Sequence, residues 1–295
     1  MYTAGTVKRI LVATDFSSHA TRALEHALEL AKLFGAELEI FTSAWIAPQA
    51  LASVALGMSP SLVEEARAEA RQKVDTLAGH LRARDFRATS RVSLEEPSSA
   101  ICARAAELGA DLVAVGTRGA SALAHVLSGS VAERVSRLAA APVLTAHADS
   151  PGPGPYRCVL VPTDFSPDAD AALAFARKLV AKTGGKLVLL HAYDLPRMMT
   201  LGATLAAANI EKTLAEAAHA RLAELRSTLS GVDVDAFASA SQPDPAIAEA
   251  VERAHADLIV MGTRGRTGLA HVLLGSTAER VLRHARVPVV TVKVR

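Results

Sequence analysis

Glycines recur with the same spacing in the two halves of the chain, each time directly after a short apolar run. In the second half Gly262-Thr-Arg-Gly265 is followed, after nine further residues, by Gly275-Ser276. Glycine lets a backbone approach an oxyanion closely, and the unpaired amides of a helix N-terminus add donors and positive potential. The pattern therefore predicts an anion-binding loop. An ordinary turn, duplicated together with its gene, is the alternative.

The first half repeats this pattern with different residues between the glycines. Gly116-Thr-Arg-Gly119 is followed, after nine further residues, by Gly129-Ser130. Arg266 and Thr267 in the second loop are polar donors, whereas Ala120 and Ser121 stand at the matching places in the first, so we expect the first loop to hold phosphate less firmly. The arginines Arg118 and Arg264 either reach a phosphate tail or lie in solvent, and the sequence does not decide between these.

Carboxylates follow the first apolar run of each half. Asp15 and Asp164 stand where the acceptor oxygen of a side chain can meet a ribose hydroxyl or an adenine edge. A carboxylate that accepts amides of the following helix is the structural alternative, and the two roles are compatible. Asp111 and Asp257 precede their strands and are expected to be surface turn residues at the opposite rim.

Other chemistries find little support in the sequence. His125 and His271 occupy matching places in the nine-residue spacers, but each lacks a second ligand at metal-binding spacing, so no metal site is predicted from protein ligands. The lysine of Gly184-Gly185-Lys186 is followed by leucine, which excludes a P-loop. Cys102 and Cys158 have no CxxC spacing, so neither a disulfide framework nor a thiolate metal site is expected. Binding is favoured over turnover.

Composition narrows the class of protein. The chain has 295 residues, of which 50% are hydrophobic and 4% aromatic, and its formal charge is +2 with 32 basic and 30 acidic residues. This length predicts two domains, and the balanced charge argues against a nucleic-acid partner. The N-terminal residues lack the apolar core of a secretory signal, and no apolar run is long enough for a membrane span. We therefore expect a soluble cytoplasmic protein that binds no membrane.

Strands and helices must alternate to position these residues. Apolar runs at Lys8 to Ala13 and Arg157 to Pro162 lead into helices that begin after Ser17 and Ser166 and end near Gly35 and Gly184. Further strands are predicted at 37–43, 87–93, 142–147, 186–192, 232–239 and 288–294, and further helices at 61–84, 97–108, 130–139, 205–229, 243–254 and 276–284.

This alternation predicts the fold class α/β, with two tandem doubly wound parallel-sheet domains that are Rossmann-like. The domains are expected at 1–148 and 156–295, joined by the Pro/Gly linker 149–155. In such folds ligands lie beyond the carboxyl ends of the strands, where the strand order reverses. Asp15 and Gly116, and likewise Asp164 and Gly262, are thus expected on opposite walls of one crevice.

Over its whole length the chain resembles the universal stress proteins, in the tandem form with two domains. Its Gly-x2-Gly-x9-Gly-Ser pattern is similar to that of the ATP-binding branch, whose fold is of the adenine nucleotide alpha hydrolase type. The resemblance implies a site for ATP, or for ADP or AMP, with accompanying Mg²⁺. In the second domain the implied nucleotide-binding positions are Pro162, Asp164, Ala192, Gly262, Thr263, Arg264, Gly265, Arg266, Thr267, Gly268, Gly275, Ser276, Thr277 and Ala278. In the first they are Ala13, Asp15, Ser43, Gly116, Thr117, Arg118, Gly119, Ala120, Ser121, Ala122, Gly129, Ser130, Val131 and Ala132.

The chain departs from that family at a few of these positions. The family often has proline at the place of Ala13 and valine at the places of Ser43 and Ala192, but contacts made by the backbone survive such changes. The resemblance also implies that the final strands of the two domains pair antiparallel, Val143 to Ala146 with Val289 to Val292, and that a homodimer can form.

These inferences give a leading function and two alternatives. The leading one is a nucleotide-dependent stress-response or signalling module that binds ATP without turning it over. A slow ATP hydrolase would release phosphate continuously, and a nucleotide-free interaction scaffold would show no binding at millimolar ATP.

Overall fold

The computed structural model describes residues 7–45, 61–117, 130–193, 205–265 and 274–294. The chain divides into two compact units, Gly5–Pro153 and Gly154–Arg295, each of which holds one copy of the repeated pattern.

Strands and helices alternate through the described part of the first unit. Its strands are β1 (Arg9–Ala13), β2 (Glu37–Ser43), β3 (Ala88–Ser93), β4 (Leu112–Gly116) and β5 (Val143–Ala146). Its helices are α1 (Ser18–Phe34), α2 (Ser61–Arg82), α3 (Pro97–Leu108) and α4 (Ser130–Leu138).

The second unit repeats this order. Its strands are β6 (Cys158–Pro162), β7 (Lys186–Ala192), β8 (Asp233–Ser239), β9 (Leu258–Gly262) and β10 (Val289–Val292). Its helices are α5 (Pro167–Thr183), α6 (Leu205–Ser227), α7 (Pro243–Ala254) and α8 (Ser276–His284).

All strand pairs within each unit are parallel. The first unit has the order β3-β2-β1-β4-β5 and the second the matching order β8-β7-β6-β9-β10. The direction of winding therefore reverses between β1 and β4, and between β6 and β9. This confirms the predicted α/β class with doubly wound parallel sheets, and it places the end of β6 beside the end of β9.

Helices cover both faces of each sheet. In the first unit Leu11 and Val113 pack with Ile101 of α3 and Val135 of α4 in one buried cluster. Side chains alternate along a strand, so the neighbouring residues of β1 and β4 face the opposite side, where α1 contacts both strands. Ile10 to Ala13 of β1 and Leu112 to Val115 of β4 are all apolar and buried, because helices cover both faces of these two strands.

Helix ends agree with the signals in the sequence. Ser17 and Ser166 are the N-caps of α1 and α5, and each side chain accepts a hydrogen bond from the backbone amide three residues later. Gly35 and Gly184 adopt the left-handed conformation at the C-caps, with φ of 67° and 66°. The predicted elements all lie in the structure, with ends that differ by one or two residues.

Two aspartates have a role beyond the one predicted for them. Asp111 and Asp257 lie in half-exposed bends directly before β4 and β9, and each also holds two strands together. Asp257 accepts the amides of Arg157 (2.7 Å) and Cys158 (3.4 Å) at the start of β6. Asp111 does the same for the start of β1, accepting the amide of Lys8 at 2.8 Å. Burial raises the pKa of Asp257, and the amide hydrogen bonds oppose that rise.

Within the described ranges, no helix combines the length and the apolar character needed to cross a bilayer.

Candidate functional site

The turn after β6 forms one wall of the crevice. Thr163 Oγ1 accepts the amide of Phe165 at 3.0 Å, and Asp164 Oδ1 accepts the amide of Ser166 at 3.1 Å. These bonds hold Phe165 at a φ of 61°, in the left-handed region that a bulky residue rarely adopts. One oxygen of Asp164 thus serves the turn, which is the structural role that the sequence left open.

The turn after β1 has the same geometry. Thr14 Oγ1 accepts the amide of Phe16 at 3.0 Å, Asp15 Oδ1 accepts that of Ser17 at 3.1 Å, and Phe16 has a φ of 63°. A side-chain hydrogen bond two residues along the chain explains how each phenylalanine is kept in this conformation.

The first glycine of each loop serves packing. A Cβ atom on Gly262 would lie 2.9 Å from the amide nitrogen of Ala169 in α5, and one on Gly116 would lie 2.5 Å from that of Ala20 in α1. Both distances are shorter than real carbon contacts, so a larger residue would push the helix away from the sheet. These glycines allow a strand end to touch the first helix of its unit.

The other two glycines of the second loop face the crevice. A Cβ atom on Gly265 would stand 2.8 Å from Asp164 Oδ2, which brings the loop against the turn after β6. Gly275 donates its amide to the carbonyl of Thr263 at 2.7 Å and accepts the amide of Glu279 at 3.0 Å. Gly275 thus both closes the loop and begins α8.

The N-terminus of α8 supplies backbone donors. Its N-cap is Gly275, which has no side chain to cap the helix. No hydrogen bond joins the amides of Ser276, Thr277 or Ala278 to another residue in the part of the chain that the structure describes. The first amides of a helix carry about half a positive elementary charge between them, so this end favours an anion.

A cavity of about 460 Å³ lies between these walls. This volume is within the range of small-molecule sites, and the lining joins apolar side chains with a few polar groups. The residues that line it are Pro162, Thr163, Asp164, Ala169, Leu190, His191, Ala192, Tyr193, Pro243, Ile247, Met261, Gly262, Thr263, Arg264, Gly265, Gly275, Ser276, Thr277 and Ala278. The structure thus brings together all the described positions predicted for the second site.

Arg264 lies at this cavity with its guanidinium already engaged. Its Nε and Nη2 atoms donate to Asp168 at 3.0 and 3.1 Å, and Nη2 also donates to the carbonyl of Val294 at 3.1 Å. The sequence offered a phosphate tail or solvent as its target, and the structure gives a third: a carboxylate in the first turn of α5.

In the first unit, the predicted residues within the described ranges lie at strand ends and in the first turn of α4. Ala13 is buried at the end of β1, and Ser43 donates its hydroxyl to the carbonyl of Glu95 at 2.5 Å. Thr117 is buried and bonds through its amide to Ala146 at 3.2 Å. Val131 and Ala132 lie in the first turn of α4, where Ala132 is buried.

Several predicted positions lie outside the described residues. They are Arg118, Gly119, Ala120, Ser121, Ala122, His125, Gly129, Arg266, Thr267, Gly268 and His271. Ser130 begins α4.

Three residues at the second site were not predicted from the sequence. His191 contacts the carbonyl of Thr163 through Nδ1 at 2.7 Å, and its ring centroid lies 4.7 Å from that of Phe165. Tyr193 lies on the cavity wall, and Asp168 holds Arg264. His191 lies at the end of the predicted strand 186–192, and Tyr193 follows it. Since ligands in this fold class lie beyond the carboxyl ends of the strands, this position could have predicted both residues.

In the described ranges, no group of three or more His, Cys, Asp or Glu side chains is arranged to hold a metal ion. Among the residues that the structure describes at the cavity, Asp164 is the one carboxylate.

Comparisons with known proteins identify relatives of both units. A sequence profile described as the Universal stress protein family matches residues 6–147 and again 155–293. The universal stress protein Rv2005c of Mycobacterium tuberculosis is 34% identical over 187 residues, and the alignment spans 62% of each chain. A universal stress protein of Mycolicibacterium smegmatis is 29% identical over the full length of both chains. The crystal structure of a universal stress protein from Archaeoglobus fulgidus has a TM-score of 0.72 at 26% identity, covering 98% of this chain and 99% of its own.

Proposed function

The chain belongs to the universal stress protein family, with two tandem domains of that family, and from this premise we propose that its second domain binds an adenine nucleotide. ATP is the leading candidate, with ADP and AMP as alternatives. In this proposal the protein acts in the cytoplasm as a nucleotide-dependent stress-response module.

One observation carries the proposal. Ser276, Thr277 and Ala278, in the first turn of α8, line a cavity of about 460 Å³ together with Gly265. Phosphate oxygens fit such a place, because helix N-terminal amides donate to them and the glycine leaves them room. The phosphates of the nucleotide are therefore assigned to the end of the cavity beside α8.

The rest of the cavity suits a nucleoside. Ile247, Met261 and Leu190 provide apolar walls for a base, and the carbonyls and amides of β7 end at Ala192 beside them. Asp164 lines the cavity, and a ribose hydroxyl bound there can donate to its carboxylate. Mg²⁺ would be held mainly by the phosphates, with Asp164 as the protein ligand within the described site.

Two measurements test this proposal. Mass spectrometry of small molecules released from freshly purified protein should find an adenine nucleotide, and equilibrium dialysis should show saturable binding of ATP. The absence of binding at millimolar ATP would refute the proposal and favour an interaction scaffold whose glycines serve only the fold.

Hydrolysis is tested separately. Purified protein is incubated with ATP and Mg²⁺, and inorganic phosphate is followed over many turnovers. We expect bound ATP to remain intact. Sustained release that disappears in Gly265→Val would instead identify a slow hydrolase that uses the same cavity.

A further inference from the structure

Asp168 connects three segments around the second site. Its side chain is buried, with 4% of its area exposed. It accepts the hydroxyl of Thr263 at 3.0 Å, the amide of Arg264 at 3.2 Å and the amide of Val294 at 2.9 Å. The Arg264 guanidinium adds two bonds, so that one carboxylate holds the exit of β9, the segment after β10 and the first turn of α5 together.

Burial alone would raise the pKa of this carboxyl. The hydrogen bonds from Arg264, Val294 and Thr263 outweigh burial and lower the pKa of Asp168 below its ordinary value, so it is ionised at neutral pH. A bidentate pair between arginine and a buried carboxylate is both strong and geometrically specific. Such a pair fixes the conformation of the backbone that carries it.

The residue held by Asp168 is the one that precedes Gly265. The carbonyl of Arg264 accepts the hydroxyl of Ser166 at 3.2 Å, and its amide and guanidinium are both bonded to Asp168. The carbonyl of the preceding Thr263 accepts the amide of Gly275. Thr263 and Arg264, which precede Gly265 at the cavity, thus have their backbone groups held by hydrogen bonds.

The first unit has a different residue at this place. The turns Asp15-Phe16-Ser17-Ser18-His19 and Asp164-Phe165-Ser166-Pro167-Asp168 correspond residue by residue, so His19 matches Asp168. Nδ1 of His19 accepts the amide of Ala148 at 3.1 Å and lies 3.1 Å from Thr117 Oγ1. These contacts match those to Val294 and Thr263. An imidazole, however, cannot form the bidentate ion pair with an arginine that a carboxylate forms.

We propose that Asp168 is the positioning residue of the second nucleotide site, and that its replacement by His19 makes the first site the weaker of the two. This inference rests on the proposed function. Asp168 touches no ligand itself. It orders Thr263 and Arg264 before the ligand arrives, so that binding loses less conformational entropy at the loop.

Site-resolved photolabelling of the whole chain tests this inference. The probe is azido-ATP, and peptide mapping separates label in residues 1–153 from label in residues 154–295 across a concentration series. In the parent we expect half-saturation of the second unit at a lower concentration than of the first. Asp168→Asn should weaken labelling of the second unit about tenfold and leave the first unchanged.

Further variants separate positioning from general stability. Arg264→Gln should weaken the second unit by a similar factor, and the double variant should be no weaker than either single one, because both remove the same ion pair. Asp168→Glu should restore part of the affinity. Asp235→Asn is the matched control, since it breaks the exposed pair of Lys186 and Asp235 in the same unit and should leave labelling unchanged.

A gain of function gives the sharpest comparison. His19→Asp supplies the first unit with a carboxylate, and Arg118 matches Arg264 in sequence, so labelling of residues 1–153 should tighten several-fold. If Asp168→Asn does not fold, labelling of Arg264→Gln and His19→Asp still tests whether a carboxylate paired with arginine positions the loop. Equal labelling of the second unit in the parent, Arg264→Gln and Asp168→Asn would overturn the positioning role of Asp168 and leave the proposed nucleotide function intact. A parent that takes up no label in either unit would overturn the proposed nucleotide function itself.

Discussion

Gly265 and Asp164 approach each other so closely that a Cβ atom at position 265 would stand 2.8 Å from Asp164 Oδ2. The loop after β9 and the turn after β6 thus meet at a point where only glycine fits without displacing the carboxylate. Asp164 has a short side chain at the cavity wall, and a shift that relieves this contact would change the position of its carboxylate in the cavity.

Substitution of Gly265 by valine should abolish nucleotide retention in the second site, since the new side chain takes space assigned to phosphate and displaces Asp164. We expect ATP binding at this site to weaken more than about tenfold, while the urea midpoint changes little. Equilibrium dialysis and urea unfolding measure the two effects. Gly154→Val is the matched control, because nothing lies within 4 Å of a Cβ atom there. Binding by Gly265→Val as tight as that of the parent would show that the phosphates lie elsewhere.

Ser276 allows the backbone donor to be tested apart from the side chain. Proline suits the first position of a helix, and Gly275 has the extended conformation that precedes proline, with φ of −72° and ψ of 148°. Ser276→Pro removes only the amide and the hydroxyl, and should weaken ATP binding about 10- to 100-fold. Ser276→Ala keeps the amide and should have the smaller effect in titration calorimetry. Equal affinities for the two variants would contradict a phosphate contact at this amide.

Gly262 should matter for stability in the absence of any ligand. A Cβ atom there meets backbone atoms of α5 at 2.9 Å, which cannot rotate away as a side chain can. Gly262→Ala should therefore lower the free energy of unfolding by about 1–3 kcal/mol. Gly79→Ala is the control, because its nearest contact is 3.9 Å and alanine favours a helix interior, which should stabilise by up to about 1 kcal/mol. Urea unfolding of the ligand-free protein measures both values.

His26 should make the first unit sensitive to acid. It is buried in α1 and contacts the carbonyl of Pro151 through Nε2 at 3.1 Å. Burial lowers its pKa from 6.5 to about 4, with a smaller opposing effect of the Pro151 hydrogen bond. Well above pH 6.5, His26 is unprotonated in both the folded and the unfolded chain. Between the two values the unfolded chain takes up a proton that the folded chain does not, so stability falls as the pH decreases through this window.

The acid sensitivity has a defined magnitude and a control. The difference in pKa corresponds to a loss of at most about 3 kcal/mol by about pH 4. His26→Gln keeps an N–H donor but does not titrate, so its urea midpoint should fall less than that of the parent between about pH 7 and about pH 4.5. Parallel losses in the two proteins would assign the acid sensitivity to other groups.

Much of the fold follows from local signals in the sequence. Ser166 before Pro167 predicted where α5 begins, and Gly184 predicted where it ends, because capping chemistry acts within one helical turn. The repeat and the alternation of strands and helices predicted two doubly wound α/β domains, with Asp164 and Gly262 on opposite walls of one crevice. In the structure the winding reverses between β6 and β9, and both residues line one cavity. These inferences depend on neighbours along the chain or on a rule of topology.

The rest of the site depends on pairs that no local pattern reveals. Arg264 and Asp168 are 96 residues apart, and neither residue type nor spacing predicts their ion pair. The sequence likewise offered no reason to distinguish the packing glycine Gly262 from the cavity glycine Gly265, since both follow the same apolar run. That distinction rests on which atoms a missing Cβ would meet, and only the folded chain shows this.

The tight approach of Gly116 and Gly262 to the first helix of each unit affects how related sequences should be interpreted. These two positions are constrained by assembly of the sheet and its helix, so a relative that has lost every ligand would still keep them. Their presence in a newly sequenced gene is therefore a marker of ancestry. Under the proposed function, glycines at the places of Gly265 and Gly275 are the informative ones, and we expect a survey that scores them separately to divide nucleotide-binding relatives from those that retain only the fold.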